Sequence, residues 1–244
     1  MANSAAVPGR PRSRDAAGLP AVTPDRIIAA ALELTARHGL DSWTLRQLAA
    51  AVDAYPAVIY HHVGDREAVV SAVVDRVIGL YPVPPEDLEW REWFRRLFSE
   101  LRLVLTRYPG VARRLAVNGP TVYAATPTVD RGMRILMAAG FGHECADVYR
   151  YLSAVACQHI SVEDEQSRQI DLLARNTAAW TKKRNDAERP GMAAMSAAIH
   201  EMTNDPIRAA NYFTDTFDYA VERSLDGVAA RLETLKAQRR PDQT

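Results

Sequence analysis

Cysteine is almost missing from this chain, whose 244 residues include only Cys145 and Cys157. Two thiols build no disulfide framework. If both stand on one helix, the rise between them is roughly 18 Å, far beyond bonding reach. A reducing cytoplasm is the expected compartment. Net charge is missing too: thirty basic and thirty acidic side chains cancel, so a surface for a polyanion has to be a local patch. No apolar run approaches the ~20 residues of a membrane span, so no membrane partner is expected. Residues 1–22 carry Arg10, Arg12 and Arg14 among Pro, Gly and Ser, without the apolar centre of a signal peptide, and read as a disordered basic arm. Catalytic signatures are lacking as well. There is no G-x-S-x-G, P-loop, H-E-x-x-H or Cys-x-x-Cys, and His143-Glu144-Cys145 cannot converge on one ion without further ligands. The expectation is a protein with no metal, no cofactor and no enzymatic activity.

What is present is helical periodicity. Thr23-Pro24-Asp25 opens a stripe of Ile27, Ile28, Ala31, Leu34 and Thr35 with a cap, an early proline and an early acid. His38-Gly39 closes it. Thr44-Leu45-Arg46-Gln47 fits a capping box, and Leu45, Leu48, Ala49 and Val52 follow at helical spacing. A third, short helix starts at Tyr55 or Pro56 and runs to about Val63. Gly64 stops it, and Asp65 can cap a fourth whose apolar pairs fall at 69/70, 73/74 and 77/78. Tyr81-Pro82-Val83-Pro84-Pro85 marks a domain boundary. Beyond it come a stripe from Trp93 to Tyr108, a short helix with Met133, Leu136 and Met137, and one from about Ala146 to Val162. Another is suggested by Ile170, Leu173, Ala174, Thr177 and Trp180, interrupted at Pro190-Gly191, before a long last helix from Phe213 to Leu235. The chain reads as all-α, with units at 23–80 and 86–244.

The stretch "AYPAVIYHHVGDREAVV" poses the functional question. Two short helices joined by a tight turn describe a helix-turn-helix. Leu48, Ala49, Ala54, Ile59 and Val63 supply the inward residues, which leaves Pro56, Ala57, Val58, Tyr60, His61 and His62 outward. A helix so presented fits the ~12 Å major groove of B-DNA, where small side chains allow close approach to base edges. Tyr60 and His62 can donate to phosphate oxygens, and Asp65-Arg66 brings free amides and a cation to a neighbouring phosphate. Neighbouring helix residues such as His61 and His62 point about 100° apart, which argues against a metal site.

Residues 23–79 resemble the DNA-binding region of the tetracycline-repressor (TetR) family, through "IIAAALELTARHGLDSWTLRQLAAAVDA" and "AVIYHHVGDREAVVSAVVD". The resemblance implies that Arg46, Pro56, Ala57 and Val58 lie toward bases, and Tyr60, His62 and Arg66 on phosphates. Where the family more often has Gly, Ser or Thr, and Thr or Ser, this chain has Asp53, Tyr55 and Val58. Asp tolerates a left-handed turn; the two missing hydroxyls remove the hydrogen bonds usual there.

"LEWREWFRRLFSELRLVLTRYPGV" and "YFTDTFDYAVERSLDGVAARL" are similar to the start and end of the C-terminal domain of the tetracycline-repressor subgroup. That similarity implies a helical effector-binding and dimerisation domain. An apolar small-molecule site is expected among Trp93, Leu97, Met133, Met137, Tyr149, Leu152, Trp180 and Phe213, whose ring-bearing and flexible side chains suit a ligand. His159 and Glu163, one turn apart, read as a partly buried hydrogen-bonded pair. One small reading helix buries too little surface for specific affinity, so a homodimer on a palindromic duplex is expected. Phe217, Val221, Leu225 and Val228, with the 146–162 helix, would form its interface. The expected partners are double-stranded DNA, a small effector and a second copy. The alternative is a helical enzyme or small-molecule-binding protein in which the helix-turn-helix is only structural.

Overall fold

The computed structural model describes residues 21–239, with the side chains of 170–174 left out. Among the described residues the regular structure is helical throughout: α1 (Pro24–His38), α2 (Leu45–Ala51), α3 (Pro56–His62), α4 (Arg66–Ile78), α5 (Trp90–Leu105), α6 (Val111–Asn118), α7 (Thr126–Ala139), α8 (Cys145–Arg168), α9 (Ile170–Thr181), α10 (Pro190–Asn204) and α11 (Pro206–Arg239). The basic-arm residues Arg10, Arg12 and Arg14 and the side chains of Ile170, Leu173 and Ala174 lie outside the described residues. Val22, assigned to that arm, is buried against the core.

The first four helices begin where local chemistry tells them to. The Thr23 hydroxyl accepts the Arg26 amide at 3.2 Å, and Pro24 takes the first turn, where a missing N–H costs nothing. Thr44 and Gln47 close a reciprocal capping box, and Asp65 accepts from Ala68 N at 2.9 Å. Only α3 lacks such help: Tyr55 offers no side-chain cap. Ile27, Ala31, Leu48, Ile59, Val69, Val73 and Val77 form the small core beneath these helices. Full burial of such a side chain contributes about 1.5–3 kcal/mol.

The larger body packs α5, α7, α8 and α11 around Trp93, Phe94, Phe98, Leu136, Leu152, Ile160 and Leu225. Its α5–α11 seam is polar: Arg91 and Arg95 hold Glu222, and Arg91 also holds Asp226. Hydrogen bonds from Arg95 and Arg91 press the Glu222 carboxyl down to about 2. Two helices depart from the sequence reading. Pro190 opens α10 rather than merely interrupting, since proline fits a first turn. The glycine-bracketed α6, with Arg113-Arg114 in its middle, has too short a stripe to stand out.

Phe217, Val221, Leu225 and Val228 are 3%, 5%, 0% and 6% exposed in a single chain. They are buried within their own protomer, which corrects their assignment to a dimer interface. An apolar stripe reports that a face is covered, not by whom. The Glu163 expectation also needs correcting, because its two oxygens accept from Arg102 at 2.9 and 3.0 Å instead of pairing with His159. A forked guanidinium satisfies both carboxylate oxygens at once, which an imidazole cannot do.

Candidate functional site

The α2–α3 turn is closed by its own backbone. Val52, Asp53 and Ala54 amides donate to Ala49, Ala50 and Ala49 carbonyls at 3.2, 3.1 and 2.8 Å. Asp53 takes the left-handed conformation at φ 53°, which a short acceptor side chain tolerates. Beneath α3, Ile59 is fully buried and anchors the helix on the core. Val63, Ala54 and Val58 are half-buried around it. Ala57, Tyr60, His61 and His62 face outward, as does Arg46 on α2, while Pro56 is half-exposed. The His61 and His62 rings meet edge to face at 5.4 Å. Small residues thus sit at the start of the helix and hydrogen-bonding rings at its end, an arrangement able to meet base edges and phosphates.

Arg66 points elsewhere. Its Nη2 donates to Leu40 O at 2.9 Å and its Nε to Trp43 O at 3.3 Å. The guanidinium lies 4.9 Å from the Trp43 ring centroid. In turn, Trp43 Nε1 donates to the Thr35 hydroxyl at 3.0 Å. A cation expected on a phosphate is here a pin for the α1–α2 connection, because two main-chain carbonyls and an aromatic face hold it.

A second site lies in the body. An open cleft of about 650 Å³ runs between α6 and α8, bordered by Asn118, Asp147, Arg150, Tyr151 and Ala154. Leu115, Pro120, Tyr149 and Ser153 line both this cleft and a smaller chamber of about 50 Å³ behind it. Apolar chains, Leu97 and Phe98 among them, wall the chamber, and Tyr81, Thr128 and Cys157 add polar atoms. Tyr81 Oη donates to Thr128 Oγ1 at 3.2 Å. Burial raises the Tyr81 and Tyr149 hydroxyls and pushes the Cys157 thiol up to about 12, so all three stay neutral at physiological pH. Apolar walls with a few neutral polar groups suit a mostly uncharged small molecule.

Of the residues expected there, Leu97 and Tyr149 line the chamber. Trp93 is fully buried against Phe94, with Nε1 donating to Pro84 O at 3.2 Å. Leu152 is core, Met133 is half-buried, and Met137 is 61% exposed. Trp180 and Phe213 lie on α9 and α11, away from the cleft's lining. Side-chain size alone did not sort these. The missed lining residues Ser153 and Cys157 follow Tyr149 at four-residue steps on α8, a polar notch in an apolar stripe that helical spacing does reveal.

An exposed reading helix joined by a tight turn to a partner helix anchored through Leu48 and Ala49 defines a helix-turn-helix DNA-binding protein. Residues 27–73 match the family of bacterial regulatory proteins called tetR. An HTH-type transcriptional regulator of Saccharopolyspora erythraea is 30% identical over 181 residues, spanning 71% of this chain and 75% of that one. The class G tetracycline repressor of Vibrio anguillarum is 26% identical over 215 residues, 86% and 93% of the two chains. The crystal structure of ActR from Streptomyces coelicolor with actinorhodin superposes with a TM-score of 0.66 at 22% identity, covering 85% of this chain and 99% of that one. The chain belongs to the tetR family and is a DNA-binding transcriptional regulator. No described helix is long and apolar enough to cross a membrane.

Proposed function

We propose that this regulator is a ligand-responsive repressor of the bacterial cytoplasm, without a catalytic step of its own. It binds a palindromic operator as a homodimer and leaves it when a small molecule occupies the α6–α8 cleft. Residues 23–80 read DNA, and 86–244 hold the effector and the second copy. The observation that carries this reading is the split of α3 between a buried Ile59 and an outward Ala57, Tyr60, His61 and His62. Arg46, Pro56, Ala57 and Val58 lie toward bases; Tyr60 and His62 lie on phosphates. The cleft supports the effector role, as does the occupation of the ActR relative by actinorhodin.

With Phe217 to Val228 committed to the protomer's core, the second copy is left the outer stripes. On α8 these are Gln158 and Val162, clear of the cleft; on α11 they are Tyr219, Arg223, Gly227 and Ala230. Alanine and glycine let two helix pairs approach closely. The test is binding to a duplex that the protein enriches from random DNA. Tyr60→Ala is expected to lower affinity for every sequence alike, and changes at Ala57 or Val58 to alter which sequence is preferred. A folded Tyr60→Ala protein that binds as well as wild type would mean that α3 presents the wrong face.

A further inference from the structure

The last turns of α8 approach the DNA-binding unit at two points, once through the α5–α6 connection and once directly at Gly39. Asp164 Oδ2 accepts the Gly110 amide at 3.0 Å. Gly110 is left-handed at φ 92° and begins α6 with no side-chain cap of its own. Its Cα hydrogens face Leu40, so that a Cβ there would stand 3.1 Å from Leu40 Cβ and 3.3 Å from Leu40 N. The adjoining Pro109 carbonyl accepts the Leu40 amide at 2.8 Å. One turn further along α8, the Arg168 guanidinium fills the place that a side chain at Gly39 would take. Gly39 follows the end of α1, where unpaired carbonyls favour a cation. Leu40 is also the residue whose carbonyl Arg66 holds.

We propose that Asp164 and Arg168 are positioning residues for DNA binding: together they clamp the α1–α2 connection to the effector body and set the orientation of the reading helix. The inference rests on the DNA-binding reading above. The first half of the same helix lines the cleft through Tyr149, Ser153 and Ala154, so the clamp lies at the far end of the element that a ligand touches. Neither side chain is on the α3 face. Their contribution is preorganisation: a body-fixed reading helix gives up less orientational freedom when it docks.

The experiment uses full-length protein and the selected duplex, read by fluorescence anisotropy across a salt series. Asp164→Ala is expected to weaken binding about tenfold through lost preorganisation, with the salt slope unchanged because no phosphate contact is removed. Asp164→Asn keeps an oxygen for Gly110 N–H and restores most of the affinity. Hydrogen exchange at Leu40 and Gly110 rises in Asp164→Ala and stays low in Asp164→Asn. Arg168→Ala, which removes only an exposed side chain, shifts affinity the same way and serves if Asp164→Ala does not fold. Folded variants with wild-type affinity and exchange overturn the clamp, as does an altered salt slope. A wild type that selects no duplex refutes the DNA reading instead. Exchange at Leu40 then decides the clamp by itself, fast in Asp164→Ala if it stands and unchanged if it does not.

Discussion

Arg66 and Asp164 show how a residue's role depends on what its atoms meet. The arginine's two main-chain acceptors and its indole neighbour make it part of the fold. Replacing it by Ala is expected to cost about 1–3 kcal/mol in urea unfolding, the range for a lost charged hydrogen bond that leaves acceptors unpaired. Lys should not rescue, since it has no planar fork to bridge two carbonyls and stack. An Arg66→Ala protein of unchanged stability, with a salt slope reduced by about one, would return Arg66 to the phosphates. Asp164 carries a different signature. Burial pushes its carboxyl from 3.8 up to about 6, against the Gly110 amide and the Arg168 charge, which lower it. The folded state therefore prefers the protonated form. That preference stabilises fully below the unfolded pKa and is lost as pH rises through about 6. Asp164→Asn does not titrate, so its melting temperature should gain on wild type between pH 4 and about 6 and hold the lead above that. A constant difference across the range would assign the raised carboxyl elsewhere.

Among the four helices of the DNA-binding unit, α3 is the only one without a side-chain cap. It has seven residues and an uncapped start at Tyr55, whose side chain is largely solvent-exposed. Tyr55→Thr supplies an oxygen to the first free amides and is expected to raise stability by about 0.5–1 kcal/mol. Thermal unfolding at matched concentration measures it, and no gain would mean that the backbone there cannot present the cap. The same helix shows what a sequence makes legible. The caps at Thr23, Thr44 and Asp65, the proline at 56 and the buried Ile59 all act within a few residues, and each could be read before any coordinates. The cleft could not. It arises because α6 meets α8 at a notch of Tyr149, Ser153 and Cys157, and which faces meet is a long-range fact. The apolar stripe of α11 was just as legible as a stripe and misleading about its partner.

For the whole molecule, the α8 and α11 outer stripes predict a dimer of two 27.0 kDa chains in sedimentation at micromolar concentration. A lone monomer would exclude the palindromic arrangement. With Arg66 turned inward, Arg46 is the one permanent cation that the described residues of α2 and α3 present. The operator's affinity should therefore fall only gently with salt, at about 0.9 log units per neutralised phosphate for each tenfold rise.

One helix touches all of these surfaces. The 24 residues of α8 run about 36 Å without a proline or glycine to bend them. Its first half lines the cleft, its outer side carries the stripe assigned to the second copy, and its end reaches Gly110 and Gly39. A genetic screen for mutants with altered repression would then return substitutions on α8 that look unrelated. Some would be deaf to the ligand, some unable to assemble, and some weak on the operator, and double phenotypes should concentrate on this helix above every other.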